Sequence, residues 1–312
     1  MNFVTEVKVE ESKQKINHKD NIMLIGSCFT NEIGQKFIES GFNVFINPFG
    51  ILYNPYSINE CLNNVIEDKH LVCSDLIKVD EYYYAFSCHG DFRGQTIEEC
   101  LAKINENIDK AHEFLLKTKY LIITLGTAWT YSYKDNNRVM GNCHKIDSSK
   151  IERKMMNVSQ VSASMNVVIE KIKKTISQDI KIIFTLSPIR HWREGFKDNL
   201  LSKSTLYLAI NEVCSQDDVF YFPSYEIVMD ELRDYRFYAR DMLHISDLAV
   251  DYIWQKFSDS YFDERTMMMN KDFIKLYLMK NHRPLNPDSE GYKKHLSKIK
   301  EMEKKLNNEI NK

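Results

Sequence analysis

Residues 21 to 34 read NIMLIGSCFTNEIG. An apolar run over Ile22 to Ile25 gives way to three small residues, Gly26, Ser27 and Cys28, and then to apolar positions at helical spacing. The pattern predicts a short strand, a tight turn and a helix over Asn31 to Ser40, closed by Gly41 in the left-handed position that favours glycine. The unpaired N–H groups of a helix's first turn carry the positive end of its dipole, so an anion placed there is stabilised. A thiolate is such an anion. Cys28 is therefore expected to face the carboxyl edge of a sheet with its pKa drawn down toward neutrality. The competing reading, a small inert core cysteine, is the commoner fate of this residue type.

Outward from this stretch, three more apolar runs read as buried strands, at Tyr120 to Leu125, Ile180 to Leu186 and Val219 to Phe222. Each ends in a polar loop: Gly126-Thr127-Ala128-Trp129, Ser187-Pro188-Ile189-Arg190-His191, and Pro223-Ser224-Tyr225-Glu226. Helical spacing fills the intervals at 57–67, Thr96 to Lys119, Val158 to Ser177 and Leu200 to Cys214, the second opened by a Thr96/Glu99 capping box. Strands alternating with helices predict a three-layer α/β/α domain with a mainly parallel sheet. Residues 76 to 88 read as a hairpin outside that sheet, Val4 to Val9 as an added edge strand, and 43 to 56 as a strand followed by an ordered loop that packs on the body to bury Phe45, Ile46, Phe49, Ile51 and Leu52. The stretch around Gly141-Asn142-Cys143-His144-Lys145 reads as a solvated loop.

The α/β domain is expected over 1–262, ending in a helix capped by Ser246 that runs to about Phe262. A helical extension follows over 263–312: a short helix at 271–281, a rigid linker at 282–287, and a Lys- and Glu-rich helix from Ser289. Its narrow apolar stripe, Tyr292, Leu296, Ile299, Met302 and Leu306, suits packing or an oligomer contact.

Composition excludes several classes. The chain has 312 residues, 43% hydrophobic, with a net charge of −2 and seven cysteines. Without a basic stripe, nucleic acid is not an expected partner. Nothing in the N-terminal stretch has the apolar core of a signal peptide, and no segment is apolar enough to span a bilayer. Scattered cysteines without a CxxC pair predict free thiols and a cytoplasmic location. A metal site needs three or four convergent ligands, which the spacing does not offer, so neither metal nor cofactor is expected. Asp241-Met242-Leu243-His244 places an Asp-x-x-His before the last helix of the domain. Asp109 and His112 form another such pair, mid-helix, which reads as a surface pair.

GSCFT at 26–30 resembles the signature of the GSCFA family, placed within the SGNH/GDSL hydrolase superfamily. Gly126-Thr127-Ala128-Trp129, Asn142-Cys143-His144-Lys145 and Ser187-Pro188-Ile189-Arg190-His191 resemble further blocks of the family, as does the placing of Asn199, Ser202 and Lys203 after them. The resemblance covers about residues 22 to 260 and implies a flavodoxin-like fold of the SGNH type. It implies Cys28 as nucleophile, His244 as base and Asp241 as the carboxylate that orients it. It places Ser27 at the superfamily's Asp position and Gly50 as an oxyanion N–H donor.

The superfamily's oxyanion Asn is replaced by Ala128. A lost donor there is worth about 2.7–4 kcal/mol of transition-state stabilisation, so another group must supply it, with Asn142 the first candidate and His144 the second. Gly126 closes the strand at the same edge, and Arg190, beside His191, could clamp an anionic group or form an ion pair within the strand end. The expected function is acyl transfer, as esterase, thioesterase or acyltransferase, on an acylated small molecule or sugar. A non-catalytic binding or assembly module, and a hydrolase that uses Ser27, are the competing expectations.

Overall fold

The computed structural model describes residues 4–193 and 195–311. Strand β1 (Asn21–Gly26) leads directly into α1 (Cys28–Glu39), followed by β2 (Asn43–Ile46) and α2 (Pro55–Ile66). A hairpin of β3 (Leu76–Val79) and β4 (Tyr82–Ala85) precedes α3 (Ile97–Leu115) and β5 (Thr118–Leu125). Next come β6 (Trp129–Tyr133), β7 (Arg138–Met140) and β8 (Ile151–Met155), then α4 (Val158–Thr175), β9 (Lys181–Leu186), α5 (Phe196–Val213) and β10 (Val219–Phe222). A single turn, α6 (Ser224–Glu226), passes into a π-helical turn over Ile227–Glu231, and α7 (Asp247–Tyr261), α8 (Glu264–Asn281) and α9 (Glu290–Ile310) complete the chain.

The central sheet has five strands in the order β10-β9-β5-β1-β2, and every pairing is parallel. Counted along the chain, this is the 2-1-3-4-5 order of flavodoxin-like doubly wound sheets, whose switch point lies between the first and third strands. Both faces are covered. Met23 and Ile25 of β1 pack with α2, α3, α4 and α5 in one core, while Ile22 and Leu24 pack with α1 and α7 in the other. The period-two alternation of a strand thus distributes one continuous apolar run between two helical layers. The expected three-layer architecture is the observed one.

Gly26 is required where β1 ends. Its φ is +145°, its N–H donates to Asn47 Oδ1 at 2.8 Å, and a Cβ there would press on the Thr124 carbonyl of β5. Gly41, at φ +82°, closes α1 as expected.

Three local expectations are corrected. Val4 to Val9 forms no strand; the Val7 N–H, which a ladder would use, donates to the buried Glu231 carboxylate at 3.0 Å. The stretch 141–145 is a loop, as expected, but it is not solvated throughout, since Gly141 and His144 are buried. The chain on either side of it forms an antiparallel sheet, β7-β6-β8, with Trp129, Tyr131 and Tyr133 alternating with small polar residues along β6. Asp109 and His112 do not pair with each other: Asp109 bonds His70 at 2.6 Å and His112 bonds the Val65 carbonyl at 2.8 Å.

Helix boundaries shift for identifiable reasons. Helix α3 stops at Leu115 because Thr118 already belongs to β5, and α8 starts at Glu264 because Asp263 caps it through the Thr266 N–H. Helix α9 buries Ile299 and Leu306 against Leu276 of α8, in a cluster separate from both sheet cores. Deleting residues 289 to 312 is therefore expected to leave a cooperative thermal transition, measurable by circular dichroism. Loss of that transition would show α9 to be part of the core.

Candidate functional site

The carboxyl ends of β1 and β5 are stitched together by the loop after β2. Asn47, itself at φ +46°, bonds Gly26, the Leu52 N–H donates to the Gly26 carbonyl at 3.0 Å, and the Tyr53 carbonyl accepts from Gly126 and Thr127 at 2.8 and 2.9 Å. Helix α5 closes the edge from the other side. Ser202 Oγ accepts the Ala128 N–H at 2.8 Å, and Asn199 holds the loop after β9, with Oδ1 on Arg190 Nε at 3.3 Å and Nδ2 on the His191 carbonyl at 3.0 Å.

Cys28 is the first residue of α1, half-buried at this edge. Burial pushes its thiol up, against the downward pull of the Cys28 and Phe29 N–H groups and of the Lys203 charge. The expected drop toward neutrality is thus reversed, because the helix terminus does not outweigh desolvation. Cys28 needs a base to ionise.

Asp241 and His244 supply a formed acid–imidazole pair. The Asp241 carboxylate accepts the His244 Nδ1–H at 2.7 Å and the Leu243 and His244 N–H groups at 2.9 Å each. Hydrogen bonds, that from the His244 ring foremost, hold the Asp241 carboxyl down at about 2. Met242 adopts φ +59° to close this turn. Because the carboxylate takes Nδ1–H, the basic nitrogen of His244 is Nε2. The His244 ring lies 6.2 Å from that of His191, centre to centre, and His191 lies 5.6 Å from Tyr53. Tyr53 in turn neighbours Cys28: its phenol is pushed up to about 12, first by burial and then by the thiolate charge. Cys28 and the dyad are thus linked through one row of side chains, and no hydrogen bond joins the thiol to the His244 ring among the described residues.

Beside them opens a cavity of about 250 Å³, lined by Tyr53, Gly126, Trp129, Asn142, Cys143 and His191 among others. Cys28, Asp241 and His244 are not in the lining of this cavity, but Tyr53, beside Cys28, and His191, beside His244, are. The β6–β8 sheet contributes Trp129 and Tyr131 to the far wall. Asn142 lines the cavity, its Oδ1 taking the His144 N–H at 3.1 Å.

Other expected site residues fall elsewhere. The Gly50 N–H is taken by the Asn47 carbonyl at 2.8 Å, and its Cα faces His89, so it is not free to hold an oxyanion. The Gly126 N–H is likewise engaged, and Gly126 serves as cavity wall. His144 is buried with Nε2–H on the Ala85 carbonyl at 3.0 Å, away from the cavity.

Burial drives the His144 pKa down to about 4. Its folded pKa lies below its unfolded one, so the unfolded chain binds the extra proton between these values. Stability is full above about pH 6.5 and falls as pH drops toward 4, by roughly 3 kcal/mol. Urea titrations at pH 7.5 and 4.5 measure this, and His144→Gln should flatten the difference.

Ser27 is the N-cap residue of α1 by backbone conformation, but its hydroxyl makes no cap bond and is buried without a partner. Its substitution by Ala, which a cap role would make costly, is therefore expected to leave the melting temperature unchanged or raised. A drop of several degrees would restore the cap.

Sequence reasoning placed Lys203 near the site without finding its burial, and it passed over Tyr53. The inward positions of α5, Asn199, Ser202, Lys203, Leu206 and Ile210, follow helical spacing, so starting that helix at Phe196 would have put Lys203 on the buried face. An exposed trio at Asp68, His70 and Asp109 could hold a cation by spacing alone. It belongs to the α2–α3 end and not to this edge.

The model of the GSCFA family matches residues 21–257, a span that holds the whole sheet, Cys28 and the Asp241–His244 pair. The chain belongs to the GSCFA family. No curated protein matches it. For this GSCFA member no helix is long and apolar enough to cross a membrane, among the described residues.

Proposed function

We propose that this GSCFA protein is an acyl-transfer enzyme of the SGNH/GDSL type that works through a cysteine. The observation that carries the reading is the Asp241–His244 pair, whose hydrogen bond leaves Nε2 as base at the sheet edge where Cys28 heads α1. In the first step Cys28 Sγ attacks the acyl carbonyl and its proton passes to His244 Nε2. The C–S bond forms, the bond to the leaving group breaks, and the proton goes to the leaving group. Water, an alcohol or an amine then attacks the thioester carbonyl, and the thiol is restored. With Gly50 and His144 otherwise engaged, the Cys28 N–H and the Asn142 amide are the donors for the oxyanion. The cavity walled by Trp129, Tyr131 and Tyr53 takes the rest of the substrate, an acylated small molecule or sugar.

The upward shift of the Cys28 thiol and the Ala128 departure favour a second reading, a binding module on the same fold without turnover. Incubation with a panel of thioester and activated-ester donors, read by intact mass, separates the two. An acyl adduct that forms and decays supports catalysis; a protein that binds donors without covalent change supports the module.

A further inference from the structure

Lys203 is a deeply buried cation without a carboxylate partner among the described residues. It is 2% exposed, within the inner face of α5, and its Nζ makes one hydrogen bond, to the Ser187 carbonyl at 2.6 Å. A tyrosine face, that of Tyr225, lies 5.8 Å away. Among the described residues no carboxylate comes within ion-pair distance of it. Lysines are almost never buried so deeply unless paired, because an ammonium loses its hydration without compensation. The Arg190 guanidinium, on the loop after β9, makes the position worse for a cation. Packing alone would be served better by a methionine.

The charged and titratable groups that act on Lys203 come from three elements: Arg190 after β9, Tyr225 in α6, and Cys28 at the head of α1. Ser187, whose carbonyl Lys203 holds, donates its own N–H to the Leu125 carbonyl at the end of β5, the strand beside β1. The Lys203 ammonium thus sits at the sheet edge where Cys28 heads α1, and ammonium and thiolate favour one another there. Around Cys28 itself stand Glu32, which opposes the thiolate, and Tyr53.

We propose that Lys203 is a positioning residue of the Cys28 centre, the buried counter-charge against which the thiolate forms. The inference rests on the reading of Cys28 as nucleophile. It adds to the helix terminus in lowering the cost of the thiolate, against the burial that raises it. Burial brings Lys203 itself down to about 7, so its ammonium is sustained by the partner it stabilises.

The test is the rate of alkylation of Cys28 by iodoacetamide in the full-length protein, followed by peptide mass between pH 5.5 and 9.5. Lys203→Met should move the midpoint of the Cys28 profile up by about one pH unit and slow the reaction at neutral pH about tenfold. Lys203→Arg, which keeps the charge, should stay near the parent profile, and Lys203→Gln carries the same test if the methionine variant fails to fold. A methionine or glutamine profile superimposed on the parent overturns the assignment. Acyl-donor labelling, run alongside, separates the two claims. A shifted alkylation profile with no acyl adduct on any thiol would reject acyl transfer and leave the Lys203–Cys28 pair standing.

Discussion

Cys28→Ala is expected to abolish acyl-adduct formation and to lower turnover of any acyl donor by about a thousandfold or more, with the fold intact. The magnitude follows from what the residue does in the proposed step: without a sulfur no covalent intermediate exists, and the remaining edge can only position substrate. The fold should survive because Cys28 is half-buried at the start of α1 and makes no side-chain hydrogen bond that holds the structure. Turnover of the best donor and the thermal midpoint, measured on the same preparation, check both halves. Activity retained in the alanine variant would remove Cys28 from the chemistry.

Gly26→Ala should be the most damaging single-methyl change in the chain. At φ +145° an L side chain is strained, and the added Cβ would lie 2.9 Å from Thr124 Cβ while pressing on the Thr124 carbonyl. Neither neighbour can retreat, because both are central strands of the sheet, joined by the register of Gly26 to Thr124. A clash with backbone at a special conformation belongs among the mechanisms that exceed about 4 kcal/mol, comparable with the whole stability of many domains. Expression in the soluble fraction and a denaturant titration give the answer; an unfolding midpoint close to the parent would show that β1 and β5 can part at their ends.

The fold was legible where apolar periodicity alone decides structure. The runs at Ile22–Ile25, Tyr120–Leu125 and Ile180–Leu186 are strands buried on both faces, and such runs need no context to be recognised. What stayed hidden depends on partners distant in sequence. Val4 to Val9 has strand-like letters, yet its fate is set by Glu231, more than two hundred residues away. The β6–β8 sheet was missed because its alternation of aromatic and polar residues matches a solvated loop until the cavity it walls is known.

At the site, the motif letters pointed to Cys28, Asp241 and His244, and the structure adds a short Asp241–His244 bond that sequence cannot give. The direction of the Cys28 shift was misjudged because helix-terminus chemistry is visible in a local stretch, whereas desolvation is a property of the whole edge. Gly50 illustrates the same limit. A glycine after the second strand suits a donor role, but whether its N–H is free depends on the turn it makes with Asn47.

The central claim is that Cys28 carries the acyl group. Reaction with a thioester donor, rapid acid quench and peptide mapping by mass spectrometry test it most directly. The adduct is expected on Cys28 and absent from the His244→Ala protein on the same timescale. An adduct on Ser27 or Cys143, or none with any donor while the native fold is kept, would contradict it.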